Sequence, residues 1–455
     1  MLTLIKNGTI VNQGLSFMGS LLINGEKIEK IVNADSFASI EEYDEYISQI
    51  QSDKIIDATG MHILPGVIDD QVHFREPGNT HKATIASESA AAVLGGVTSF
   101  MDMPNNNPPA ASLDALDQKF SIAAKDSYAN YSFYLGATNG NIDQIKNINK
   151  ERICGVKVFM GSSTGNMLVN DEQMLNRIFS ESPVLIATHC EQEETIKANM
   201  TAYTEKYGNE IPFEMHYKIR SKEACIECTK RALDLAVKHN TKLHILHIST
   251  AEEIELIKEA RKQNPQILGE VCVHYMWFNC NDYKEYGSKI KCNPAIKTED
   301  DMHAIRSAVK DGTIAVVATD HAPHLKEEKE KNYAQAPSGI PLIQHSLQLM
   351  LELSKKGIFT VEDVAARMSH GPAECFQIKE RGFIQEGYYA DLAIINLNLP
   401  DSKTTSTPAY KCGWSPFEGK EFSSSIIHTF VNGTQVVENG TLTGNKNAKE
   451  LVFDR

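Results

Sequence analysis

Residues 242–274 read KLHILHISTAEEIELIKEARKQNPQILGEVCVH: an apolar run of strand length, a helical repeat over 251–263, and a second apolar run from 268. Strands that are apolar on both faces and separated by a helix define a parallel βαβ unit, because helices cover both sides of such a sheet. Working outward, six more runs match: HILPGVID (62–69), VTSFMDM (97–103), YSFYLGA (131–137), CGVKVFM (154–160), VLIATH (184–189) and IAVVATD (314–320). Further helical repeats fall over 83–95, 191–206, 221–239 and 300–310. Eight parallel strands alternating with helices predict closure into a TIM-type (β/α)8 barrel. An open doubly wound sheet would call for a glycine-rich phosphate loop after the first run, and the sequence has none there.

The two ends of the chain share a different rhythm. LTLIKNGTIV, GSLLING, ADLAIIN and HTFVNGTQVVENG are short alternating strands broken by Gly and Asn. They predict a small β-sandwich assembled from residues 1–60 and 383–455, with the barrel inserted over 61–382. Asn-Gly pairs beginning at Asn7, Asn432 and Asn439 read as tight hairpin turns rather than glycosylation sites. Segment 36–53 is acidic and reads as a solvated loop or short helix.

Composition narrows the function classes. A net charge of −14 with no dense Lys/Arg cluster argues against a nucleic-acid surface. Nine cysteines without a disulfide-like cadence fit a reducing compartment. No run of about 18 apolar residues marks a membrane span, and the first residues lack the apolar core of a signal peptide. The expected location is the cytoplasm, and a homodimer is the expected assembly. Cys225 and Cys228 form a CxxC inside a helical repeat with no second pair, which argues against a zinc knuckle.

Five residues spread over the barrel region stand in or beside the ends of these runs: His73, Lys157, His189, His247 and Asp320. Barrel enzymes draw their catalytic groups from strand ends at one mouth, so this spacing predicts a metal centre there. A lone histidine is more often structural, and His244, alternating with His247, reads as core. Lys157 carries the most information. It interrupts a strand buried on both faces, where an unpaired ammonium is costly. Burial lowers the pKa of such an amine, which as a neutral nucleophile can capture CO₂ as a carbamate, a carboxylate long enough to bridge two cations. The competing expectation is an ion pair between Lys157 and Asp320.

The segments DDQVHFREPG (69–78), GVKVFMGSSTGNM (155–167), THCE (188–191), HILHIST (244–250), KCNP (291–294), TDHAPH (319–324) and SPFEGKEF (415–422) resemble the amidohydrolase superfamily, and within it the dihydroorotases. The resemblance implies zinc-dependent, reversible cyclisation of N-carbamoyl-L-aspartate to dihydroorotate in pyrimidine synthesis. It implies one Zn²⁺ held by His73, carbamylated Lys157 and Asp320, and a second by Lys157, His189 and His247. Asp320 would also move the proton from water to the departing amide nitrogen. Arg75 and Asn105 match the family's carboxylate contacts, Asn293 and His324 match further substrate contacts, and residues 336–339 match a loop that meets the ring amides through its backbone. His274 aligns with one member of a family histidine pair, and its role is left open.

One position departs from the pattern. Gln71 stands where the family has the first histidine of an H-x-H pair, replacing an imidazole by an amide oxygen, a harder and weaker zinc ligand. The expectation is reduced affinity at the first metal. Two other readings stay open: a non-catalytic relative serving as an assembly partner, and a related cyclic amidohydrolase such as an allantoinase or dihydropyrimidinase. The charged run HLKEEKEKN (324–332) reads as a solvated loop beside the mouth, with a lid as the alternative.

Overall fold

The computed structural model describes residues 1–161 and 167–455; residues 162–166 of the GVKVFMGSSTGNM motif lie outside the described residues. Eight parallel strands follow one another around the barrel: β1 (Val67–Val72), β2 (Val97–Asp102), β3 (Asn130–Gly136), β4 (Gly155–Phe159), β5 (Ile186–His189), β6 (Leu243–Ile245), β7 (Ile267–Cys272) and β8 (Val316–Ala318). Each pairs with its neighbour in chain order, as right-handed crossover units require. The ring is nearly closed. Past the end of β8, His321 bridges Val72, and the His73 N–H donates to the His321 carbonyl at 2.7 Å.

The opening stretch shows how the sequence sets these elements. After β6 the chain bends at His247, and the Thr250 hydroxyl accepts the Glu253 N–H at 3.2 Å, capping a helix over Ala251–Arg261. Ile254, Ile257 and Ala260, at helical spacing, bury that helix against the sheet.

The strands of both termini are hydrogen-bonded into a second, mainly antiparallel sheet of nine strands. Its path runs from the C-terminal strands through Leu392–Asn396 and His62–Pro65 to Leu2–Asn12 and its hairpin partners. The apolar run 62–69 is therefore divided: His62–Pro65 pairs with both termini, and only after Gly66 does the chain enter the barrel. The Asn432-Gly433 and Asn439-Gly440 pairs make hairpin turns with both residues in the left-handed region. Asn7-Gly8 does not. It forms a bulge inside strand Leu2–Asn12, and the hairpin turn falls at Gln13-Gly14. The acidic segment contains a helix over Ile40–Gln49, capped by Ser39. Among the described residues no helix is long and apolar enough to cross a membrane.

Candidate metal centre

β1 carries one residue more than β2 between Asp69 and Val72, which face Phe100 and Asp102. Such a bulge twists a strand and re-aims its side chains. Here it delivers Gln71 and His73 into a cavity of about 620 Å³ at the C-terminal mouth, lined also by Arg75, Asn105, Lys157, His189, His247, Asn293, Asp320 and His324. The ligand and substrate-contact positions expected from the sequence thus meet in one cavity except His274 and Ala336, which are not among its lining residues. His274 is buried on the short helix that follows β7, with neither ring nitrogen hydrogen-bonded among the described residues.

Three of these residues hold backbones that L side chains rarely adopt: Arg75 at φ 66°, His247 at φ 40° and Asp320 at φ 50°. Left-handed non-glycine residues cost on the order of 1–3 kcal/mol each and concentrate at functional sites. Each turns the chain off its strand so that the side chain faces the mouth.

The donor geometry suits divalent cations. His73 Nδ1 lies 2.7 Å from Asn105 Oδ1, an oxygen that only accepts, so this nitrogen carries the proton. Nε2 of the same ring lies 2.9 Å from Asp320 Oδ1, which sets an imidazole nitrogen and a carboxylate oxygen side by side at the mouth. Gln71 Nε2 donates to the same Asp320 oxygen at 3.2 Å, which leaves Gln71 Oε1 buried and without a hydrogen bond. On the other side, His189 Nδ1 and His247 Nε2 face each other at 3.0 Å. Two nitrogens on a tetrahedral metal with bonds of 2.0–2.1 Å stand about 3.3 Å apart, so a small spread admits an ion.

Electrostatics agree with that reading. Burial lowers the pKa of both His189 and His247, keeping their lone pairs available as neutral ligands. Lys157 is 1% exposed, and burial brings its amine down to about 8. Among the described residues no hydrogen bond or ion pair reaches it, so the ion pair with Asp320 is not formed. Burial opposes charge on Asp320, but His73, His274 and Lys157 together hold its pKa below the ordinary value.

Behind the candidate ligands stand residues the sequence reading did not single out. Glu191 lies 3.0 Å from His189 Nε2 and is ion-paired to Arg220. Burial works against its charge, yet Arg220 and His189 hold its carboxyl below the usual range. A carboxylate behind a ligating imidazole fixes the ring and raises its basicity. Glu270 similarly accepts the His247 backbone N–H at 3.0 Å. Its only sequence signal was a buried acid within a strand.

A second set of possible ligands, Asp70, His244 and Glu270, lies buried and off the cavity lining. His244 Nε2 is 2.9 Å from Asp70 and 3.8 Å from Glu270. Burial opposes charge on His244, but Cys375 and Asp70 raise its pKa well above the ordinary value, while burial and Asp70 push that of Glu270 up. Hydrogen bonding within the set ties His244 to Asp70. His244 is therefore part of a buried polar cluster rather than apolar core.

Comparison with known proteins matches the amidohydrolase family over residues 62–436, and the chain belongs to that family. It is a cyclic amide hydrolase, and its relatives narrow the field further. It is 31% identical over 392 residues to a dihydroorotase of Methanosphaera stadtmanae, covering 85% of this chain and 88% of that protein. An allantoinase of Desulfitobacterium hafniense is 30% identical, over 88% of this chain and 90% of its own. The L-hydantoinase of Arthrobacter aurescens superposes with a TM-score of 0.91 at 25% identity, over 99% of both chains.

Proposed function

We propose that the protein is a dihydroorotase that interconverts N-carbamoyl-L-aspartate and dihydroorotate, the closing direction serving pyrimidine synthesis. The observation that carries this reading is Arg75. Its Nε donates to the Pro323 carbonyl at 3.1 Å, which anchors the guanidinium on one edge in the cavity wall beside the metal-ligand set. A planar fork of this kind grips a carboxylate at two points. Dihydroorotate carries a ring carboxylate and allantoin carries none, so the fork favours the first over the second. The dihydroorotase relatives support the same choice.

His73, Asp320 and Lys157, with the Gln71 amide oxygen, would hold one zinc; Lys157, His189 and His247 would hold the other. Addition of the neutral Lys157 amine to CO₂, with loss of one proton, gives the carboxylate that serves both. When bound, zinc supplies Lewis-acid polarisation and lowers the pKa of water toward neutrality. Asp320 accepts the proton released when water attacks the ring carbonyl and delivers it to the departing amide nitrogen. Asn293 and His324, both in the cavity wall, would orient the ring. The retained Lys157, a liability without metals, weighs against a non-catalytic assembly role.

The test is ring closure of N-carbamoyl-aspartate by the purified, zinc-loaded chain in bicarbonate, beside hydrolysis of allantoin, for the wild type and Arg75→Lys. Loss of the fork removes about 1.5–3 kcal/mol of charge-assisted bonding, so kcat/KM should fall roughly tenfold to hundredfold. Faster turnover of allantoin, untouched by the Arg75 change, would overturn the assignment.

A further inference from the structure

Lys329 lies in the charged run 324–332 that reads as solvated, yet it is 2% exposed, on a short helix over Lys326–Lys329. Its ammonium donates to three backbone carbonyls: Lys291 at 3.2 Å, Pro337 at 2.9 Å and Gly339 at 2.9 Å. Lys291, also buried, donates to the carbonyls of Tyr333 and Ala336, both at 2.6 Å. The Gly339 N–H closes the set on the Lys291 carbonyl at 2.9 Å. Neither lysine forms an ion pair among the described residues.

Burial draws the pKa of Lys329 down to about 7 and that of Lys291 to about 8, and two such amines side by side with no carboxylate need oriented dipoles to replace the lost water. Here those dipoles all come from one short stretch and from Lys291 itself. Pro337, Ser338 and Gly339 line the same cavity as Arg75 and Asn293. The stretch is fixed from the cavity side as well, where His324 Nε2 lies 3.1 Å from the Ser338 carbonyl. Lysine side chains have three donors and a flexible stem, which suits gathering carbonyls that diverge.

We infer that Lys329 and Lys291 form a clasp that pre-shapes the backbone of residues 336–339 as the substrate-facing wall of the cavity. Both are positioning residues, acting through the carbonyls they gather. The clasp rests on the proposed reaction only for the identity of the substrate; its effect on the loop exists without one.

Two measurements on the zinc-loaded full chain separate these levels. Without substrate, hydrogen–deuterium exchange over 333–342 should rise about tenfold in Lys329→Met, the equivalent of one lost charge-assisted bond, while exchange in the barrel strands stays at the wild-type rate. With N-carbamoyl-aspartate, KM should rise about tenfold with kcat within about threefold, and Lys329→Arg, which keeps the charge, should recover part of both. Should Lys329→Met fail to fold, Lys291→Met tests the other half by the same readouts. Unchanged loop exchange, or exchange rising equally everywhere, overturns the clasp. Raised loop exchange with no activity toward N-carbamoyl-aspartate leaves the clasp standing and rejects the substrate.

Discussion

Gln71 lines the candidate metal centre with an amide where the family resemblance expects an imidazole. Its amide nitrogen is spent on the Asp320 oxygen that His73 also meets, and its amide oxygen is buried with no hydrogen bond. An amide oxygen is a weaker partner for zinc than an imidazole nitrogen. Gln71→His should therefore tighten the first metal by at least about tenfold, the scale on which ligand-environment changes act. Zinc retained per chain during dialysis against graded chelator reads this out: a second equivalent that survives longer in the variant is expected, and identical retention curves would show that Gln71 is no ligand. At this scale the sequence was legible wherever chemistry conflicts with burial. A lysine within an apolar strand or a histidine at a strand end stands out against its neighbours. Glu191 did not, because its meaning lies in what it touches, His189 and Arg220, and the latter is far along the chain.

Between elements, β2 and the helix over Leu113–Asp126 are joined by a buried ion pair, Lys119 to Asp102 at 2.6 Å. Asp102 also accepts the Phe74 N–H at 2.9 Å, between His73 and Arg75. Lys119 donates to the Met103 carbonyl and to Asn106, the residues on either side of the turn that carries Asn105. One pair thus steadies the backbones of two expected substrate contacts. Lys119→Met strands a buried carboxylate and should cost about 3–5 kcal/mol, whereas Asp102→Asn with Lys119→Met keeps the acceptor for Phe74 and should cost distinctly less. Urea unfolding of the two variants decides it, and equal losses would mean the charge is not what matters. Most strands and helices were readable from periodicity because they bury a face of their own, as the helix over Ala251–Arg261 does with Ile254, Ile257 and Ala260. The passage from sheet to barrel at Gly66 was not, since 62–69 is apolar on both sides of the switch and only the pairing partners differ. Asn7-Gly8 failed for a related reason: the left-handed conformation it favours serves a bulge as well as a turn.

Across the whole molecule, the far end of the chain returns to the barrel floor. The Tyr131 N–H donates to the Lys449 carbonyl at 3.0 Å, and the Leu451 N–H to the Tyr131 carbonyl at 2.9 Å. Leu451 and Phe453 are buried with Ile68, Met101, Cys154, Leu185 and Val316, several of them at the strand starts, opposite the mouth. No periodicity announces this, because a short tail borrows its apolar surroundings from elements far away along the chain, from Ile378 back to Ile68. Conservation of function should follow the division of the barrel into a catalytic top and a structural bottom. Phe453→Ala leaves a cavity in a packed floor and should lower unfolding stability by about 3–5 kcal/mol, read as an earlier denaturant midpoint at unchanged slope. Turnover at 25 °C should stay within about twofold of wild type, since the candidate ligand positions sit at the other ends of the strands. A variant that kept its stability but lost turnover would show that the floor and the metal mouth are coupled, and that the two ends of this barrel do not divide their work.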